Sequence, residues 1–205
     1  MEGLADAFDM VTGDVTIPLG DSDTLVYPTL SETRLLKPVA RITISARTEP
    51  FVASRFFRTD PGLCVYDSLA NLFDLSTWQA ASSTPARPYV ASFLKTNADD
   101  KDIRLELPER HLSTLEDIAA LMFNQRGGKS GFLLNNGRAN TFYALGKNGE
   151  VCNVDVYWYS YNRKWDARRR RIVEYSKWDI RGWRLGEYDK WSAGNQVLCP
   201  GYVAL

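Results

Sequence analysis

The clearest hydrophobic pattern in the chain is helical and covers residues 114–125. Apolar side chains recur there at i, i+3, i+4, i+7 and i+8, which places them on one face of an α-helix. Ser113 as N-cap and Glu116 three residues later match a capping box, and Gly127-Gly128 follows the last turn. The pattern therefore predicts one main helix over 114–125. Its apolar face is Leu115, Ile118, Ala119, Met122 and Phe123.

The hydrophobic period changes from 3.6 to 2 after residue 131. Apolar runs at 132–134, 141–145 and 151–161 are separated by Asn135-Asn136-Gly137 and by Gly146 to Gly149, which are hairpin signals because these residue types tolerate positive φ. In the third run Cys152, Val154, Val156 and Trp158 alternate with a second set. We expect the first set, including Trp158, in the core. The second set would form the exposed face of a half-buried antiparallel strand, and it consists of Asn153, Asp155, Tyr157 and Tyr159.

The rest of the chain supplies shorter elements. Residues 1–38 form a loop-rich segment with two short strand candidates. Strands are predicted at 39–47, 50–58 and 89–94, and a short helix follows Asp67 as its N-cap. Further strands are expected around 166–173, 180–185 and 196–203. Together these patterns predict a single α+β domain over 1–205. Its antiparallel β-meander, at 131–205, would pack with the main helix and the short N-terminal strands.

A local recurrence marks the last third of the chain. Lys-Trp occurs at Lys164-Trp165, Lys177-Trp178 and Lys190-Trp191, each pair 13 residues after the one before. This period is too short for the usual solenoid or propeller units. We interpret it as strand-plus-turn units, with a tryptophan near each turn as a structural anchor.

Composition and charge narrow the function classes. With 44% hydrophobic and 24% charged residues the chain can bury a core. The start carries no secretory signal, no apolar run is long enough to span a membrane, and three dispersed cysteines form neither a disulfide framework nor a zinc site. These features predict a cytoplasmic protein without metal or cofactor. The zero net charge hides an asymmetry, since residues 1–120 hold 11 Lys/Arg and 18 Asp/Glu, whereas residues 121–205 hold 14 and 7. The two halves can attract each other, or the basic half can face an anionic partner.

Several segments resemble a group of uncharacterised proteins encoded by candidate-phylum (Patescibacteria-type) bacteria. They are LLKPVARITISARTEPFVA, the stretch from LPERHLSTLED to LGKNGEV, and WSAGNQVLC with its Trp-x-Ala-Gly-x-x-Val pattern. The chain departs from the group in its extra Lys-Trp unit and its arginine run. The resemblance implies one continuous domain of bacterial origin and brings no catalytic residue.

No catalytic constellation emerges from the sequence. Gly127-Gly128-Lys129-Ser130 lacks the first glycine of a P-loop and follows a helix instead of a strand. His111, the single histidine, is expected beside the helix cap, although a thiolate–imidazole dyad with a cysteine stays open. A carboxylate pair is also open, because its members need not be close in sequence. The sequence therefore favours a protein that is not an enzyme.

The sequence feature that points to a binding surface is the accumulation of Tyr, Trp and Arg in residues 157–191. These residue types dominate recognition surfaces because they combine large contact area with forked hydrogen-bond donors. We predict a binding module for a protein or a glycan. Single-stranded nucleic acid is one alternative, through base stacking and phosphate neutralisation; a structural or oligomer-forming role, with the aromatic side chains used internally, is the other. The predicted contact residues are Tyr157, Tyr159, Tyr161, Arg163, Arg168, Arg170, Arg181 and Tyr188.

Overall fold

A computed structural model describes residues 34–48, 50–59, 62–76, 84–166, 171–187 and 190–201, with the backbone alone at 58–59, 161–166 and 171–175. The described part is an α+β domain built on a seven-stranded mixed sheet of order β1-β3-β7-β4-β5-β6-β2. Within these ranges no helix is both long and apolar enough to cross a membrane. The strands are β1 (Leu36–Ile44), β2 (Leu63–Val65), β3 (Arg87–Leu94), β4 (Asn140–Leu145), β5 (Val151–Asp166), β6 (Arg171–Arg184) and β7 (Gln196–Pro200). The helices are α1 (Ala53–Thr59), α2 (Asp67–Leu72), α3 (Asp100–Glu106) and α4 (Leu115–Asn124).

The predicted C-terminal meander is present as β4, β5 and β6, which pair antiparallel in chain order. The last strand then departs from a meander, because β7 inserts between β3 and β4 and runs parallel to β4. At the other end of the sheet the short β2 runs parallel to β6. The first and third predicted strands are β1 and β3, with β1 three residues earlier than expected.

The sheet has two faces with different contents, which we call face A and face B. Face A carries the main hydrophobic core, and α1, α2 and α4 pack on it. Cys152, Val154, Val156 and Trp158 of β5 are all buried there, so the period-2 prediction for this side of the strand is confirmed. Face B carries a second cluster under α3, with Ile103, Tyr143 and Trp191 buried in it.

Two predicted strands take another form. The strand at 50–58 is wrong, since α1 occupies this stretch and buries Ala53 and Phe57 one helical turn apart. The strand at 132–134 is also wrong, although Phe132 and Leu133 are buried. Amide side chains replace a partner strand there, because Gln125 binds both backbone groups of Leu133 and Asn140 binds both of Leu134.

The helix starts differ by one residue from the predicted ones. The N-cap of α4 is Thr114, whose Oγ1 accepts from the Asp117 amide at 3.3 Å, whereas Ser113 uses its own amide to reach the Tyr143 carbonyl on β4. Asp67 is the first residue of α2 and not its N-cap, which is Tyr66. Asp67 is still suited to the first turn, where the helix dipole favours a negative charge.

The strand-plus-turn interpretation of the Lys-Trp recurrence is wrong. Trp178 lies inside the continuous strand β6, directly opposite Trp158 of β5. Trp165 belongs to β5, and Trp191 forms an isolated bridge with Ala98. The 13-residue spacing therefore crosses three different structural settings. The strand expected around 166–173 is not a separate element, because its described residues are the end of β5 and the start of β6. The strand expected around 180–185 is the end of β6.

Candidate functional site

Strands β5 and β6 extend well past the rest of the sheet. β4 pairs with β5 only as far as Val156, and β2 pairs with β6 only over Trp178–Ile180 in register. Beyond these points β5 and β6 pair with each other alone among the described strands, out to Asp166 opposite Arg171. We call residues 159–166 and 171–177 the ribbon. At about 3.4 Å per residue it projects roughly 25 Å.

A pair of tryptophans anchors the ribbon to the core. Trp158 and Trp178 meet edge to face, with ring centroids 5.2 Å apart, on face A. The Trp178 indole donates to the Gln125 carbonyl at 3.0 Å. Gly128, at φ 69°, lies so close to the Trp158 ring that a Cβ there would overlap with Cε2. Gly128 thus makes room for this anchor just after α4.

On face B, at the foot of the ribbon, five side chains form what we call the tyrosine–arginine cluster. They are Tyr66, Tyr157, Lys177, Asp179 and Arg181. The guanidinium carbon of Arg181 is 4.3 Å from the Tyr66 ring centroid and 5.4 Å from the Tyr157 ring centroid, both within the range of cation–π attraction. Tyr157 and Asp179 are direct cross-strand partners, and parity places Lys177 and Arg181 on the same face.

Asp179 organises the cluster. Its side chain is 1% exposed, and its Oδ2 accepts from the Tyr66 hydroxyl at 3.1 Å and lies 3.5 Å from Arg181 Nη2. Its Oδ1 lies 3.6 Å from Lys177 Nζ and accepts no hydrogen bond from any described group. Burial lowers the pKa of Lys177, but the Cys64 thiol and the Asp179 charge raise it by more. Two cations thus share one buried carboxylate, and both remain partly exposed.

The other half of face B is closed by a polar network under α3. Asp100, 4% exposed, accepts at Oδ1 from the Tyr143 hydroxyl at 3.0 Å, the Asn153 amide at 3.2 Å and the Trp191 indole at 2.8 Å. Its Oδ2 accepts from the Gly186 amide at 3.3 Å. The open depression beside α3 therefore has a floor carboxylate whose oxygens already serve four donors. We assign this network to structure.

The burial of Asp155 on face B corrects the sequence prediction. Asn153 and Asp155 were expected on an exposed face, yet they are 0% and 1% exposed. Asp155 accepts from the Thr141 hydroxyl at 3.2 Å and from the Trp183 indole at 3.0 Å. Desolvation raises the pKa of Asp155 well above its ordinary value, and these two hydrogen bonds oppose the rise. The half-buried description holds only for the part of β5 beyond Asp155.

The eight predicted contact residues fall into three groups. Tyr157, Tyr159 and Arg181 share face B at the foot of the ribbon, and Tyr159 is 36% exposed. Tyr161 and Arg163 lie on the β5 strand of the ribbon. Arg168, Arg170 and Tyr188 lie outside the described residues, as does most of the four-arginine run.

Three members of the cluster were missed. Lys177 and Asp179 alternate with Arg181 in the sequence, so the period-2 rule applied to β6 identifies both. Tyr66 has no comparable signal, because it reaches the cluster only through the parallel pairing of β2 with a strand more than a hundred positions later.

The described residues give little support for metal binding or for nucleophilic catalysis. Among the described residues no group of three His, Cys, Asp or Glu is arranged to hold a metal ion. The described hydrogen bond of His111 joins Nδ1 to the Pro108 carbonyl at 2.8 Å, and its ring packs on Tyr143 instead of on a cysteine. Burial raises the pKa of the Cys152 thiol, and it raises that of Cys199 to about 12. No protein-family model, curated protein or solved structure matches the chain.

Proposed function

We propose that the protein is a recognition module that binds an acidic surface of a partner protein through the ribbon and the tyrosine–arginine cluster at its foot. The observation that carries this proposal is the extension of β5 and β6 past every other described strand, with an exposed Tyr159 and a partly exposed Arg181 where they leave the sheet. Tyrosine and arginine are the residue types that most often dominate binding energy at protein interfaces.

The size of the surface favours a protein over a glycan. The ribbon contributes 15 residues, from 159–166 and 171–177, and the cluster adds Tyr66, Tyr157 and Arg181. This number approaches the roughly 20 to 30 residues a side that a standard protein interface uses. A small glycan needs far fewer contacts and a concave pocket, whereas the ribbon projects.

The sign of the charge favours an acidic partner. Residues 159–177 of the sequence hold seven Lys/Arg and two Asp/Glu, and Arg163, Lys164, Arg171 and Lys177 among them lie on the described strands. A nucleic acid is less well matched. Asp166, Glu174 and Asp179 are interspersed with the cations, and Arg181 already binds the Tyr66 hydroxyl at 3.1 Å. Fixed carboxylates repel closely spaced phosphates, but a protein partner can offer hydrogen-bond donors to them.

Binding of the full-length protein to three labelled polyanions tests this assignment. The probes are a poly-glutamate peptide, a heparin oligosaccharide and a random-sequence single-stranded DNA oligonucleotide, each followed by fluorescence anisotropy at low and moderate salt. We expect the peptide to bind best. Exclusive binding of heparin would instead support the glycan alternative. Exclusive binding of the oligonucleotide with a steep salt dependence would support nucleic-acid recognition and overturn the proposal.

A further inference from the structure

Two Asn-Gly pairs, Asn136-Gly137 and Asn148-Gly149, lie in exposed connections on either side of β4. Both asparagines are exposed, and the two glycines have nearly the same positive φ, at 83° and 80°. A Cβ placed on either glycine would meet no heavy atom within 4 Å outside its chain neighbours, so the space around both is open. The two pairs thus match in sequence, exposure and backbone angle, and they differ in the hydrogen bonds that each one makes.

The backbone amide of the glycine is engaged in one pair and not in the other. The Gly149 amide donates to the Gly146 carbonyl at 3.0 Å, which closes the hairpin turn between β4 and β5. No hairpin forms at 135–137, because residues 132–134 are not a strand. The Gly137 amide accordingly donates to no acceptor among the described residues. Its nitrogen is therefore available for a reaction that the Gly149 nitrogen can enter only after its turn opens.

The Asn136 side chain is held along the backbone that follows it. Its Oδ1 accepts from the Arg138 amide at 3.2 Å, an Asx-type contact that spans the Gly137 peptide unit. The same donor stabilises negative charge on Oδ1, which is where charge develops when a nucleophile adds to Cγ. No described group makes the corresponding hydrogen bond with the Asn148 side chain. The first pair therefore combines an available nucleophile with a positioned and polarised side-chain carbonyl.

From this comparison we infer that Asn136-Gly137 is a site of spontaneous deamidation in the folded protein, whereas folding protects Asn148-Gly149. The Gly137 nitrogen forms a bond to Asn136 Cγ, and the side-chain nitrogen leaves as ammonia together with the proton of the Gly137 amide. The product is a five-membered succinimide. Water then opens this ring, and its addition at Cγ gives aspartate, whereas its addition at the main-chain carbonyl carbon of residue 136 gives isoaspartate. Water is the only other reactant.

The modification changes the contact between this loop and the segment that precedes β7. Arg138 follows the pair directly, and its Nη1 donates to the Ala193 carbonyl at 2.5 Å. Isoaspartate carries the main chain through the former side chain, which lengthens the backbone before Arg138 by one atom. Either product also leaves a carboxylate near the exposed Arg138. No residue of the ribbon or of the tyrosine–arginine cluster takes part, so the inference is independent of the proposed function.

Peptide mapping of the full-length protein after incubation in mildly alkaline buffer tests the inference. Trypsin places the two sites on different peptides, 130–138 and 148–163, and a sample taken before incubation corrects for deamidation during digestion. We expect Asn136 to deamidate about fivefold faster than Asn148, because the Gly149 amide must first lose a hydrogen bond. Fragmentation that distinguishes isoaspartate from aspartate should find both products at 136. Equal rates at the two sites, or a faster reaction at Asn148, would overturn the inference.

The same incubation in urea separates the effect of the fold from that of the sequence. In the unfolded chain both glycine amides are solvated and both asparagines precede glycine, so the two rates should converge. Convergence would support the assignment of the difference to the Gly149 hydrogen bond and the Asn136 contact. A difference that persists unchanged in urea would show that the neighbouring residues set the rates, and it would overturn the inference.

Two glutamine variants provide a matched comparison at exposed positions. Asn136→Gln and Asn148→Gln each lengthen the side chain, so that cyclisation would have to form a less favourable six-membered ring. Isoelectric focusing of the incubated protein follows the acidic species that deamidation produces. Asn136→Gln should remove most of this species, and Asn148→Gln should leave it unchanged. Loss of the acidic species in Asn148→Gln, or its persistence in Asn136→Gln, would contradict the assignment.

Discussion

Strand β5 changes its environment along its length, and its two halves differ in how much of the described protein covers them. From Cys152 to Val156 it is buried on both faces, by the main core on face A and by the second cluster on face B, and Tyr157 on face B is partly buried. From Tyr159 to Asp166 it has β6 as its described neighbour, and none of the described helices covers it. The residue types do not change much at this boundary, since tyrosine and tryptophan occur on both sides. What changes is the cover, which comes from distant segments of the chain.

The largest expected difference in stability is between variants of two adjacent β5 residues that lie on opposite faces of the sheet. Trp158→Ala removes an 8% exposed indole that packs on Trp178 and Gly128, and it should lower the free energy of unfolding by about 3–5 kcal/mol. Tyr159→Ala removes a 36% exposed ring and should cost less than about 1 kcal/mol. Urea unfolding of both variants measures the difference. Similar losses would mean that the boundary between the two halves of β5 is misplaced.

The next difference in stability concerns α3, which covers part of face B. Asp100→Ala leaves four donors without their acceptor, and we expect a loss of about 3 kcal/mol in the free energy of unfolding. Asp102→Ala, on the exposed side of the same helix, is the control and should cost less than about 0.5 kcal/mol. Equal effects of the two changes would show that the Asp100 network does not hold the cover in place.

A smaller effect, and one that depends on pH, is expected at Asp155. Its folded-state pKa is raised by desolvation, so the folded protein binds this proton more tightly than the unfolded chain. Stability should therefore fall as the pH rises from the ordinary pKa of an aspartate through the raised one. Asp155→Asn keeps an acceptor for Trp183 and a donor for Thr141. The variant should therefore lack this contribution to the pH dependence of the free energy of unfolding. Identical pH profiles of the free energy of unfolding for wild type and variant would contradict the assignment.

The sequence predicted one side of β5 and not the other, for a physical reason. Alternation depends only on neighbours along the strand, so Cys152, Val154, Val156 and Trp158 were correctly assigned to the core. Burial of Asn153 involves Asp100 of α3, and burial of Asp155 involves Trp183 of β6, and both partners come from other parts of the chain. Polar residues in a period-2 pattern look the same whether water or a buried network satisfies them.

Local ambiguity explains the other differences. The apolar run at 50–58 fits both a strand and a short helix, and only the packing of Ala53 and Phe57 against the core selects α1. The segment at 132–134 is buried without a strand because the amides of Gln125 and Asn140 satisfy its backbone. The Lys-Trp spacing appeared regular in sequence, yet Trp178 serves the anchor and Trp191 serves the cover.

The most direct measurement of the central claim is the affinity of the full-length protein for the poly-glutamate peptide after a change confined to the ribbon. Tyr159→Ala combined with Arg163→Ala removes one aromatic and one cationic side chain from the outer half of β5. We predict about tenfold weaker binding and a loss of less than about 1 kcal/mol in the free energy of unfolding, because we assign both residues to the proposed recognition surface. Arg184→Ala, at the other end of β6, should bind like the wild type. An affinity unchanged by the ribbon variant would contradict the assignment of the ribbon as the recognition surface.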